Sequence, residues 1–458
     1  MANTARNDMT KGPEWRCILL FALPIMLGQL LQQLYSTVDG IIVGNFVSSD
    51  ALAAVGSCST LVMVFIALSI GMSNGCCIVV SQLFGAGRPE EMRRTASTAL
   101  ILLFGLGAAI TVLAIASARF ATVHLLAIRD AAIADMAVSY ICFYALGMVF
   151  QFLYNAVAAI LRSVGDSKAV LYFLLVSTIV NTLLDLLFVA WLGWGVAGAA
   201  AATTIAQAAC CVVSVVYMFR HYPVFRFRPR ELVFEGDKLK LCLKMGIPTT
   251  IQHLIISCGH LFLQRLVNSF GTATMAAYTV GSRYDQYASV PSMGMFQAMA
   301  SFAGQNTGAG RYDRVKRGIF SAVCMNLAMV AVICTALYAL ASPLAVLFGV
   351  EGESLSQSVE FLHFMAICYP IFALYIPFNG MYQGCGAAIA SAFSSLLALT
   401  MRVCGSYTMV YLLDMGYAAC WQSCALGWTA STIWVFSYFL SGRWKTKSLV
   451  KNSPQEAS

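Results

Sequence analysis

The chain is 458 residues long, 59% hydrophobic and only 10% charged, with a mean hydropathy of +0.76. That composition excludes a soluble multidomain protein and leaves an all-α polytopic membrane protein; the alternating ten-residue segments of a β-barrel are absent. The net charge of +8 follows the loops between apolar runs, so no nucleic-acid partner is expected.

In chain order, a polar cytoplasmic tail (1–16) has no apolar region followed by a small-residue cleavage site, so the first span itself is expected to direct insertion. Twelve spans follow, at 17–43, 53–80, 95–118, 133–158, 169–191, 195–219, 242–267, 275–303, 318–341, 357–382, 387–412 and 417–440. They divide into an N-lobe (17–219), a charged cytoplasmic linker (220–241) and a C-lobe (242–440), before a cytoplasmic tail (441–458). With the N-terminus inside, 23 of the 28 Lys and Arg residues fall on cytoplasmic segments, which places both termini in the cytoplasm of a cell-membrane protein. The sixteen cysteines sit almost entirely inside apolar runs and read as small buried hydrophobes, not as disulfides or metal ligands.

The halves resemble each other. Gln82-Leu-Phe-Gly85-Ala86-Gly87-Arg88 recurs as Gln305-Asn-Thr-Gly308-Ala309-Gly310-Arg311, and Gly71-Met72 recurs as Gly294-Met295, both at an offset of 223. Pro24 pairs with Pro248, and Leu161-Arg-Ser-Val-Gly165 with Tyr382-Gln-Gly-Cys-Gly386. Six spans per repeat give both halves one orientation and a pseudo-two-fold along the membrane normal, a transporter signature with the substrate expected in a central cavity. The glycine-rich loops each follow a span and lead into a basic segment, so they read as helix ends in tight turns.

Polar side chains inside spans are costly and mark sites. The first span carries Gln29, Gln32, Gln33, Tyr35 and Asp39, which is too polar for a lipid-facing helix. In span 5, Asn181 and Asp185 are four residues apart and share a helix face. At ~1.5 Å per residue, Asp39, Asp185 and Thr203 of span 6 fall within roughly one turn of each other in depth. Two carboxylates, an amide and a hydroxyl at one level suit an alkali cation, a proton or a structural polar cluster. In span 8, Arg283 and Asp285 point to different faces, and a cavity role and an interhelical pairing are equally open. His253 and His260 read as satisfied core residues.

Together with the twelve spans and the repeat, Val38-Asp39 followed by Gly44, the two Gln-x-x-Gly-Ala-Gly-Arg loops, Arg162-Ser-Val-Gly165-Asp166-Ser167 and Asn181-Thr-Leu-Leu-Asp185 resemble the multidrug and toxic compound extrusion (MATE) family. The resemblance implies two six-helix lobes and outward antiport of organic cations or other amphiphilic small molecules against H⁺ or Na⁺, with no cofactor. It assigns a cation network, and the metal site if the ion is Na⁺, to Asp39, Asn181, Asp185 and Thr203. Gln32, Tyr35 and Asn155 then face the same cavity, and Pro24 is the hinge at which the first span bends. Span 7 offers Gln252, His253 and His260 and the core of span 10 has no acid, so the DinF-like branch fits better than the NorM-like one. The chain is expected to act as a monomer in the bilayer. A flippase for lipid-linked precursors needs several cavity cations, whereas the spans hold only Arg265, Arg283 and Arg402; an intramembrane enzyme lacks a reactive constellation beyond the two carboxylates.

Overall fold

A computed structural model describes residues 8–46, 49–126, 128 and 130–450, with the side chains at 36, 38–46, 49–55, 59, 60, 125 and 229 outside the description. The secondary structure among these residues is helical: α1 (Glu14–Phe46), α2 (Ser49–Gly85), α3 (Pro89–Phe120), α4 (Ala131–Ser163), α5 (Ser167–Asp185), α6 (Gly195–His221), α7 (Gly236–Asn268), α8 (Thr272–Ala288), α9 (Val290–Gly308), α10 (Tyr312–Ala339), α11 (Ala341–Val346), α12 (Gly352–Gly384), α13 (Ala388–Tyr411) and α14 (Ala419–Leu440). Nine stretches among the described residues are long and apolar enough to cross a bilayer. Val332, Ile389 and Leu440 are exposed on helix faces, as lipid contact requires and water does not favour.

Where 275–303 reads as one span, the structure has two helices, α8 and α9, meeting at Ser289. Pro291 in the first turn of α9 has no N–H to extend the ladder back across Ser289. The cysteines are all free, but Cys258, Cys324 and Cys404 are exposed, which corrects the reading of the set as buried. A thiol is small and apolar enough for an outward helix face as well as a core.

The repeated loops are the same turn four times. Gly87, Gly165, Gly310 and Gly386 have φ of +67°, +91°, +72° and +89°. In each, the next residue's N–H reaches back five positions: Arg88 to Leu83 (3.1 Å), Asp166 to Leu161 (2.9 Å), Arg311 to Asn306 (2.7 Å) and Ala387 to Tyr382 (2.8 Å). This is the glycine-terminated helix end, left-handed at the one residue without a Cβ.

The chain forms two compact units. Unit 1 comprises Met1–Asp8 with Leu27–Thr250, and unit 2 comprises Met9–Met26 with Ile251–Ser458. The divisions fall inside α1 and α7, two residues after Pro24 and Pro248 respectively. The opening of α7 therefore packs in unit 1, where a Cβ on Gly71 would strike Thr250 and one on Gly75 would strike the backbone of Gly246. The opening of α1 packs in unit 2, where a Cβ on Gly294 would strike Met26. The repeated glycines are the seats for these two segments.

Polar straps hold the same segments. In unit 2, the Met9 N–H donates to Gln305 Oε1 (3.0 Å), Asn306 Nδ2 donates to the Met9 carbonyl (3.1 Å), and Arg311 donates to the Thr10 carbonyl (2.7 Å). Glu14 pairs with Arg314 (3.5 Å) and Arg317 (2.9 Å). In unit 1, Ser97 and Val233 exchange hydrogen bonds (2.9 and 2.8 Å), while Arg93 meets Glu231 (2.8 Å), Arg94 meets Glu235 (2.9 Å) and Lys238 meets Glu91 (2.5 Å). The unit 2 strap lies against the end of α9 and the first turns of α10, and the unit 1 strap against the first turns of α3.

Candidate functional site

In unit 1, α5 and α6 pack side by side around Asn181. Asp166 caps the start of α5, accepting from the Ala169 N–H (3.1 Å) and from the hydroxyls of Tyr217 (3.0 Å) and Tyr222 (2.7 Å), which fixes the helix on α6 and the segment after it. With the Asn181 amide oriented so that its oxygen faces donors, its nitrogen donates to the Tyr35 hydroxyl (2.9 Å) and to Asp185 Oδ2 (2.8 Å). Its oxygen accepts from the Thr203 N–H (3.1 Å). Asn181 and Asp185 are 2% and 1% exposed, so the group sits in the low-dielectric interior. Thr203 Oγ1 donates to the Ala199 carbonyl (3.0 Å), and its lone pairs can accept.

Immediately after Asp185 the α-helix widens into a π-turn, Leu186–Trp191, closed by the Leu192 N–H on the Leu187 carbonyl (2.9 Å). A π-turn breaks the regular ladder next to the carboxylate, a placement common at functional sites. No sequence signal pointed to it.

The structure brings Asn181, Asp185, Thr203 and Tyr35 together. Asn155 lies apart from these bonds and donates to Ser69 Oγ (2.9 Å), a partner on α2 with no local sequence mark. Gln32 is exposed on α1. Asp39 lies on α1, but its side chain is outside the described ones. Pro24 sits inside a continuous α1.

In unit 2, Asp285 accepts from the Tyr369 hydroxyl of α12, which also reaches the Asp285 carbonyl (2.9 Å), whereas Arg283 is exposed. Gln252 donates to Ser395 (2.5 Å) and accepts from Gln383 (3.1 Å), tying α7, α12 and α13 together. Among the described residues no three His, Cys, Asp or Glu side chains gather as a metal centre.

The MatE family model matches residues 24–187 and 248–408, one match in each half. A probable multidrug resistance protein of Bacillus subtilis, YpnP, is 27% identical over 96% of this chain and 98% of its own length. Another from the same organism, YoeA, is 28% identical over 96% of each. Among solved structures, an outward-facing multidrug resistance MATE family transporter of the MOP superfamily superposes with a TM-score of 0.90, at 22% identity, over 96% of this chain and 99% of that one. With both halves matched and the whole length aligned, the chain belongs to the MATE family: it is a multi-pass membrane transporter, not an enzyme.

Proposed function

We propose that the chain is a secondary active efflux transporter that exchanges organic cations or other amphiphilic compounds for inward-moving H⁺ or Na⁺. The observation that carries this reading is the Tyr35–Asn181–Asp185–Thr203 group, in which Asn181 and Asp185 are buried. A carboxylate held at a few per cent exposure in an apolar bundle is costly as a bare charge, so it is offset either by a proton or by a cation. Asn181 orients it from the side, and the carboxylate, the Thr203 hydroxyl and the Tyr35 hydroxyl are oxygen groups of the kind an alkali ion takes. Ion loading at Asp185 is then transmitted along α1 through Tyr35. On this reading the excess of Lys and Arg in the loops favours cytoplasmic termini, and the chain acts as a monomer in the cell membrane.

The test is dye efflux from proteoliposomes under separately imposed Na⁺ and pH gradients, which also identifies the ion. Asp185→Asn keeps the hydrogen bond to Asn181 but removes the titrating charge. Gradient-driven flux is expected to fall roughly tenfold or more, the factor that ~1.4 kcal/mol of lost ion binding produces. Undiminished flux at wild-type protein levels removes Asp185 from coupling.

A further inference from the structure

The segment between α6 and α7 has two faces. Phe225 and Phe227 are buried while Arg226, Arg228 and Arg230 are exposed, and the backbone is extended at Arg226 and Arg228, so that side chains alternate inward and outward. None of the ion pairs among the described residues includes these three arginines. Further along, Leu232, Val233 and Phe234 are 42%, 43% and 50% exposed, three adjacent apolar side chains in a loop. The backbone that carries them is fixed on α3. Val233 bonds to Ser97 through both its N–H and its carbonyl, the Glu235 N–H donates to Thr98 (3.2 Å), and the carboxylates of Glu231 and Glu235 reach back to Arg93 and Arg94.

The depth of the segment follows from α3. Between Arg94 and Arg119 that helix carries no charged side chain, a stretch of ~36 Å at ~1.5 Å per residue, which covers ~30 Å of hydrocarbon with little to spare. Ser97 and Thr98 therefore mark where the hydrocarbon begins, and Leu232, Val233 and Phe234 lie at that level. Phe227, whose ring faces the Arg93 guanidinium at 5.6 Å, and Glu231, which pairs with Arg93, lie ~7 Å further out. That is the headgroup layer, roughly 5–7 Å deep on each side of the hydrocarbon. An apolar patch rimmed by charge suits a membrane surface, and unpaired guanidiniums at headgroup depth match the phosphates of anionic lipids.

We propose that this segment is a lipid anchor: Leu232, Val233 and Phe234 enter the edge of the acyl region, and Arg226, Arg228 and Arg230 bind the phosphates of anionic phospholipids above it. Lipid bound here holds the chain that leads directly into α7. Neither the transported compound nor the coupling ion enters the proposal, so it stands apart from the efflux reading.

The test places full-length protein in nanodiscs of phosphatidylcholine, alone or with roughly a quarter phosphatidylglycerol, and follows hydrogen exchange over residues 226–235 by mass spectrometry. Exchange is expected to slow several-fold with phosphatidylglycerol. The triple variant Arg226→Gln, Arg228→Gln, Arg230→Gln should exchange at one rate in both lipids, and Leu232→Ser with Phe234→Ser should exchange faster than wild type in both. Equal wild-type rates in the two lipids overturn the proposal, as does a phosphatidylglycerol effect that survives intact in the triple variant or a serine variant that exchanges as wild type. Soluble glycerol phosphate that slows exchange to the same degree in phosphatidylcholine discs also overturns it, because the arginines then bind free phosphate and not a membrane. Should the triple variant not fold, wild-type protein in about 1 M salt decides: at a screening length of ~3 Å the phosphatidylglycerol effect must vanish, and its persistence overturns the proposal.

Discussion

Asn181 is the residue on which the unit 1 site depends, because one amide meets a phenol, a carboxylate and a main-chain N–H from three different helices. No other uncharged side chain of that size both donates twice and accepts. At the strap of unit 1, Glu231 plays a lesser but measurable part. The Arg228 main-chain N–H, and after it the Arg93 guanidinium, hold its carboxyl below the usual range. A lowered folded pKa adds stability that is fully present above the ordinary value of 4.5 and disappears as the pH falls beneath it. Hydrogen exchange at residues 231–235 should therefore show protection at neutral pH that weakens below that value beyond the intrinsic change in exchange rate. In Glu231→Gln this extra pH dependence should be missing; an identical profile in the variant would separate Glu231 from the docking of the strap.

Among the elements, α1 and α7 differ from the rest in belonging to both units. Each has its proline two residues ahead of the division, where the missing N–H and the crowding ring weaken the helix. In α1 the weak point lies between a strapped opening and the site residue Tyr35. Pro24→Ala restores the bond to the Leu20 carbonyl and relieves a cost of roughly 3 kcal/mol for an interior proline. The variant is expected to melt at a higher temperature, bind dye normally and turn over several-fold more slowly. Wild-type turnover in Pro24→Ala would show that α1 does not need to bend there, and lost binding would show that the proline shapes the site.

At the scale of the whole chain, the charge asymmetry predicts that reporters fused after Arg94, Lys240 and Arg317 read cytoplasmic. An external reading at Lys240 would break the six-plus-six arrangement. The helices, the internal repeat and the glycine-ended turns were all legible, because each is written locally, in hydropathy, in spacing or in one left-handed residue. Asn181 and Asp185 were legible for the same reason, being one turn apart. The break at Ser289 was legible in principle from Pro291, but the apolar run through it outweighed the proline. The Asn155–Ser69 bond and the membership of the openings of α1 and α7 were not legible. Those depend on contacts between residues far apart in sequence, which leave no period and no spacing to read.

The strap on Met9 also sets a clock for biosynthesis. Its partner Gln305 is 296 residues downstream, and synthesis proceeds at ~5–20 residues per second. Roughly 15 to 60 s must therefore pass between translation of the first helix's opening and translation of the surface that receives it. Throughout that interval the opening of α1, made before the other helices described, waits for its final neighbours. The first half is not a self-sufficient folding unit in time, even though it is a repeat in sequence.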